Sequence, residues 1–354
     1  MSTRTPLPQP LPSTSFRLPD IHHDWPFPRT SNPHYAAVAP ESMDWASSFK
    51  LFPADRQRAF QAIIPGLLGS MAYPNHSREH FRTACDLMGI LFAVDEVSDR
   101  LGPGEARVVA DAMMDALRHP EKKRDATEPR LAEMLRSFWV RALGTASNTT
   151  VRRFVKSYED YVRAMTQEAQ DRQHKSVRKS MAEYLDLRRY TGAIKPSFDC
   201  LLLPLEISDA LLDSPAVKEL EMIAIELIAV ANDIVSFNVE QARGDIHNLV
   251  IVLMDGDEKL GVQAAMDMVG DWYRQRCRDF IEGLKRLPSV DGGDYEVLCL
   301  HQYAWGLGNW VTANYEWSFE SHRFFGERNK EVKESRVVEL LPRSKPLPPV
   351  AICQ

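Results

Sequence analysis

The chain has 354 residues, of which 44% are hydrophobic, 26% charged and 9% aromatic, the make-up of a globular protein and not of a disordered or fibrous one. Forty-three Lys and Arg against forty-nine Asp and Glu give a net charge of -6, which argues against a nucleic-acid partner or an anionic lipid surface. Five cysteines (Cys85, Cys200, Cys277, Cys299, Cys353) stand far apart without CxxC spacing, so neither a disulfide framework nor a zinc knuckle is expected, and a cytoplasmic setting is.

Nine of the twenty-three prolines fall within residues 6–40, so residues 1–44 are predicted to form a flexible, extended leader. It holds no apolar run of signal-peptide length, and the longest such run, Met88 to Val94, is too short to span a bilayer. Beyond it, apolar residues at three- and four-residue spacing predict helices over about 53–70, 77–101, 104–118, 130–144, 148–172, 178–190, 214–241, 258–286 and 294–320. The second opens on Ser77 with Glu79 behind it and stops at Gly102-Pro103; the seventh opens on Ser214-Pro215 and stops at Gly244. Four more prolines crowd residues 342–349, marking 327–354 as a tail. Without sustained period-two alternation, internal repeat or central linker, the expected fold is a single-domain, all-α helical bundle over residues 45–326, large enough to enclose a cavity.

Two of the long helices end in oxygen ligands. Asp95 and Asp99 in VDEVSDR are four residues apart, so their carboxylates lie on one helix face with Glu96 beside them. Like charges so placed repel unless a cation bridges them, and hard oxygens of this kind suit magnesium held through one or two carboxylates plus substrate phosphates. A solvated acidic helix end is the ordinary alternative, since such a string arises by chance in ~0.1 of chains this long. Its position directly after an apolar run speaks against that. In NDIVSFNVE, Asn232, Ser236 and Glu240 form a second stripe of oxygen donors after the apolar run Ala224 to Ala231, a pattern expected by chance in fewer than ~0.01 of chains. The two clusters read as two walls of one metal site at the mouth of an apolar cavity.

With these residues the chain resembles class I terpene synthases, most closely the fungal sesquiterpene synthases. Asp95 to Asp99 resembles their aspartate-rich motif, and Asn232, Ser236 and Glu240 their second metal motif, followed by the similar NVEQARGDIHNLV. WSFESHRFF resembles the family's Trp-Ser-x-x-Ser-x-Arg-Tyr stretch, which places Arg323 at the diphosphate-binding arginine; RRYTG places Arg188 at the diphosphate sensor, Thr191 at the linker and Gly192 at the effector. Phe324 departs from the usual diphosphate-contacting tyrosine, and Val239 from a lysine for which Arg243 is a candidate substitute. The resemblance covers residues 45–326 and implies three Mg2+ ions, with Mn2+ as a substitute, and farnesyl diphosphate as substrate. With the charge and the short apolar runs, no nucleic acid and no membrane span are expected; a monomer or homodimer is, and the tail 327–354 is a candidate cap for the site.

Such chemistry needs cations for the leaving diphosphate and aromatic faces, not oxygen nucleophiles, for the carbocation. Arg188 and Arg323 offer forked donors, whereas Arg189 reads as an ordinary ion pair. Phe92, one turn before Asp95, and Trp317, two turns before Arg323, are the first aromatic candidates, ahead of Trp305, Trp310, Tyr315, Phe198 and Phe237. Gly192 is expected to precede a break at Pro196 that turns a carbonyl toward the cavity. His22-His23-Asp24 reads as a loop, and Arg172, Lys175, Arg178 and Lys179 as a solvated face. A chain-elongating prenyltransferase, use of geranyl or geranylgeranyl diphosphate, and a helical scaffold protein are the alternatives.

Overall fold

The computed structural model describes residues 14–123, 127–174, 180–290 and 293–344. A short strand, β1 (Ser15–Arg17), leads through an extended segment to α1 (Tyr35–Ser48). The predicted 53–70 helix is two, α2 (Ala54–Ala62) and α3 (Pro65–Ala72), because Pro65 disfavours helical geometry in the residue before it and Ile64 takes a left-handed φ of 55°. Next, α4 (Arg78–Ser98) opens as expected, the Ser77 hydroxyl accepting the His80 N–H at 3.3 Å. It is followed by α5 (Pro103–Arg118), α6 (Arg130–Leu143), α7 (Asn148–His174), α8 (Met181–Thr191), α9 (Ile194–Asp199) and α10 (Asp209–Leu212). The longest helix among the described residues, α11 (Pro215–Arg243), is closed by Gly244 at a φ of 84°. Then come α12 (Leu249–Gly256), α13 (Val262–Leu284), α14 (Tyr295–Glu320), α15 (Asn329–Ser335) and a second strand, β2 (Val337–Glu339).

Helix α11 is the hub, packed on α13 and α14, while α4 packs on α1, α3 and α6, and α5 lies between α6 and α7. Leu220, Ile223, Leu227 and Val230 of α11 are at most 1% exposed, and each such branched aliphatic side chain contributes about 1.5–3 kcal/mol by burial. By length and composition α11 could cross a membrane, but 83% of its apolar window is buried inside the protein, as in a core helix.

For residues 14–44 the expectation of a flexible leader is corrected. Phe16, Leu18, Ile21, Trp25 and Phe27 all join the main core, and β1 pairs antiparallel with β2 from the tail, Phe16 opposite Val338. Ahead of α1 the prolines disfavour a helix without loosening the chain: they hold it extended, so the apolar residues between them reach the groove along α13 and α14. Trp25 donates its indole N–H to the Gly308 carbonyl at 3.1 Å, and Thr312 its hydroxyl to the Phe27 carbonyl at 2.9 Å. A Cβ on Gly308 would run into the face of the Phe27 ring. Gly308→Ala is therefore expected to cost about 1–3 kcal/mol of stability, measured by urea unfolding; an unchanged midpoint would show that the strap is not seated against Gly308.

Candidate active site

Volume does not identify the site. Grooves of about 510 and 540 Å³ lie on the surface along α5 and α7 and beside α13, and both are lined by mixed surface charges. A smaller cavity of about 140 Å³ runs between α4, α7, α8, α9, α11 and α14. Phe92, Asp95, Arg188, Thr191, Gly192, Asn232, Trp317 and Arg323 all line it. The local reason is the same on both walls: α4 and α11 each bury an apolar run, and the first oxygen donors after that run emerge at the cavity mouth.

On the first wall, Asp95 is ion-paired with Nη2 of Arg323, and Glu96 lies 3.4 Å from Nη1 of the same guanidinium. Asp99 is the residue at the C-terminal end of α4. Its carboxyl is held well above the usual range, first by the protein packed round it and then by the charge of Asp95, with Arg172 pulling the other way. The Asp99 residue nevertheless has an open side on solvent. Arg172 is a correction to the sequence reading: it does not belong to a solvated face. It donates to the Ser98 carbonyl at 2.8 Å, and its charge acts on Asp99, Glu168 and Asp245. Lys175, Arg178 and Lys179 lie outside the described residues.

The second wall is tied to α8. Arg188 donates to Asn232 Oδ1 at 2.8 Å, to Asp233 Oδ1 at 3.0 Å and to Thr191 Oγ1 at 3.3 Å. Burial works against its charge, yet Asp233, Tyr184, Glu168 and Glu240 hold the guanidinium protonated more firmly than usual. Asn248, which sequence reasoning missed, is fully buried and donates to Glu240 Oε2 at 2.9 Å, to Ser236 Oγ at 3.5 Å and to the Asp233 carbonyl at 2.8 Å. Its own Oδ1 caps α12 by accepting the Val250 N–H. Glu240 is pushed up to about 7 by burial and then by Asp233, with Asn248 opposing. Glu168, also missed, is pushed up to about 7 by burial, against Arg188 and Arg172. Asp95 of the first wall and Asn232 of the second line the same cavity, so the walls face one another. Arg243 is exposed and lies beside Asp245, whereas Arg189 is held by the buried Glu226 at 2.7 Å, as an ordinary ion pair.

Deeper in, the Phe92 and Trp317 rings lie 5.0 Å apart, and Trp317 is oriented by its indole N–H, donated to the Ile63 carbonyl at 2.8 Å. Of the secondary aromatics, Trp310 lines the cavity. Phe237 packs on Phe16, Trp305 on Phe27, Phe198 on Trp310 and Tyr315 on His22 and Phe319, so these four are core residues and not lining. His22 is in a loop, pushed down to about 4 by burial. The break after α8 falls at Ala193, whose φ is 53°; Gly192 itself has a φ of -78°, and Pro196 four residues on has no N–H to offer its carbonyl. A Cβ at Gly192 would meet Ile194 at 3.1 Å.

Phe324 stands at the position of the family's diphosphate-contacting tyrosine, without its hydroxyl. Its ring is 8% exposed, stands edge-on to Trp317 at 5.9 Å and lies under the Arg323 guanidinium at 5.7 Å. It supports two site residues and offers no polar atom. Phe324→Tyr is expected to keep turnover within about threefold, since it preserves those ring contacts; a severe loss in a kcat measurement would show a pocket shaped around the missing hydroxyl.

The donor set fits a hard divalent cation: carboxylates crowd together, two of them are raised by like charge and burial, and amide and hydroxyl oxygens complete the stripe. Among the described residues no three acidic, His or Cys side chains are grouped so as to hold a metal ion between them.

The family model described as "Terpene synthase family 2, C-terminal metal binding" matches residues 86–279, a span holding both walls. A Delta(6)-protoilludene synthase of Stereum hirsutum is 38% identical over 350 residues, 96% of this chain and 94% of that one. Sesquiterpene synthase 9 of Postia placenta is 41% identical over 329 residues, 93% of this chain and 94% of that one. Among solved structures, the SVS_A2 protein from ancestral sequence reconstruction has a TM-score of 0.73 at 20% identity, covering 83% of this chain and 88% of that one. Hedycaryol synthase in complex with nerolidol has a TM-score of 0.70 at 20% identity, covering 85% and 100%; at such identities these two show the fold alone. The all-α fold, the metal-suited double wall and the relatives agree: the chain belongs to the terpene synthase family, on its fungal sesquiterpene synthase side.

Proposed function

We propose that the protein is a magnesium-dependent sesquiterpene synthase that ionises farnesyl diphosphate and cyclises the resulting cation to a C15 terpene. The observation that carries this reading is that Asp95, Asn232, Arg188 and Arg323 line the mouth of one cavity whose interior is apolar and aromatic. The relatives named sesquiterpene and protoilludene synthases support the fifteen-carbon substrate. Asp95, Asp99, Asn232, Ser236 and Glu240 would hold three Mg2+ ions, which when bound supply positive charge to the leaving diphosphate.

Arg188 and Arg323 bind the phosphate oxygens through their forks. Thr191 and Glu168 orient Arg188, and so link the anion to the Gly192 segment. The allylic carbon–oxygen bond breaks with its electron pair leaving on diphosphate. Phe92 and Trp317 present π faces to the cation left behind, and Leu68, Met88, Leu91, Ile194, Ile228 and Ala229 keep bulk water from it. The tail would not act alone at the mouth: Arg323, just after α14, already closes on Asp95 there. We place the activity in the cytoplasm, in a monomer or homodimer. The test is incubation with farnesyl diphosphate and Mg2+ followed by gas chromatography; the reading fails if no terpene forms from farnesyl, geranyl or geranylgeranyl diphosphate.

A further inference from the structure

We propose that Asn314 is a catalytic residue of this cyclisation, its amide oxygen a fixed dipole held against the carbocation. The inference rests on the cyclase reading above and adds a group that the sequence motifs do not contain. Asn314 lies on α14 three residues before Trp317, on the same face of the helix. It is 6% exposed and lines the cavity.

Its orientation is set by what it touches. Nδ2 donates to the backbone carbonyl of Ile228 at 3.3 Å, and because a carbonyl only accepts, the NH2 end must be the one facing α11. Oδ1 therefore points the other way. It accepts no hydrogen bond among the described residues and is not one of the fully enclosed, partnerless polar atoms, so the surface it keeps is that of the cavity. Ile228 lies four residues before Asn232 on α11, and Asn314 three residues before Trp317 and nine before Arg323, which sets the amide below the mouth, about one helical turn deeper than Trp317.

That is where positive charge travels once the diphosphate has left. An oriented carbonyl dipole in a water-poor cavity stabilises such charge without reorganising. Unlike a free water, which can move up to the cation and lose a proton once it has added, this amide is tethered in the wall by its hydrogen bond to Ile228, so it faces the cation without closing to bonding distance. The indole and phenyl faces act by their quadrupoles; Asn314 adds an oxygen lone pair at one definite point of the wall, so the position of the charge is biased as well as its energy.

The full-length protein is assayed with farnesyl diphosphate and Mg2+, with kcat and KM read from diphosphate release, products from gas chromatography with mass spectrometry, and Tm from thermal unfolding. Asn314→Leu keeps the volume and removes the dipole; Asn314→Ala is the second variant should leucine misfold. The expected result is a kcat lower by roughly tenfold or more, a KM within about twofold of the parent, and a shift toward less cyclised products. Unchanged product ratios and kcat with only a lower Tm would make Asn314 a strut between α11 and α14 and overturn the inference, as would a raised KM with unchanged kcat. A parent protein silent on all three prenyl diphosphates would instead overturn the cyclase reading itself, and this inference with it.

Discussion

Replacing Asp95 by alanine is expected to abolish turnover, a loss on the order of a thousandfold or more, while the protein stays folded. Its side chain is 46% exposed at the cavity mouth and its one strong partner is Arg323, so the fold loses at most about 1 kcal/mol with it. The chemistry loses far more. Asp95 is the carboxylate of the first wall that lines the cavity, and without it Arg323 keeps only Glu96, at 3.4 Å, as an anchor. Asn232→Ala should behave alike, stripping the cavity-facing oxygen from the second wall. Steady-state kcat alongside a melting curve checks both; either variant with near-parental activity would remove that residue from the metal site.

The second large effect is at Arg188, where structure and chemistry fail together. Asp233 is fully buried, and its carboxylate is met by the Arg188 guanidinium, the Tyr184 hydroxyl at 2.6 Å and the Leu249 N–H at 3.1 Å. Arg188→Met leaves that carboxylate without its countercharge, which costs about 3–5 kcal/mol, and removes the forked phosphate donor too. Arg188→Lys should recover part of the stability, because the charge returns. Turnover should stay low, because a single ammonium cannot reach Asn232, Asp233 and phosphate at once. Denaturant midpoints and kcat for the two variants separate these roles, and an Arg188→Met protein as stable as the parent would break the account of Asp233.

Much of the site could be read from the chain because its ligands are local. Asp95 with Asp99, and Asn232 with Ser236 and Glu240, are spaced by single helical turns, so the helix alone puts them on one stripe. Arg172, Glu168 and Asn248 could not be found that way. Arg172 reaches its carbonyl partner Ser98 across 74 residues of chain, and nothing in its charged neighbourhood marks it off from a solvated face. Asn248 did carry a signal: an asparagine opening an apolar run, a helix N-cap, three residues beyond an acid. In the fold, α12 escaped detection because LVIVLMDG is apolar almost throughout and shows no helical period. Pro40, inside α1, hid that helix in the same proline-rich stretch.

The sequence by itself determined the helical class, the long helices and their caps, and the two oxygen-ligand stripes, because each depends on contacts within a few turns of one helix. Only the tertiary structure decided that the first donor of each stripe, Asp95 and Asn232, lines one cavity and that the Phe324 ring packs against Arg323 and Trp317. It likewise decided that the amino-terminal strap is part of the core. Those facts depend on which helices pack side by side, and a strap that buries Phe16 against Phe237 of α11, and Trp25 and Phe27 against α13 and α14, has the same composition as one that buries nothing. Its prolines specify an extended backbone; whether that backbone finds a groove is written in residues far along the chain, on α13 and α14.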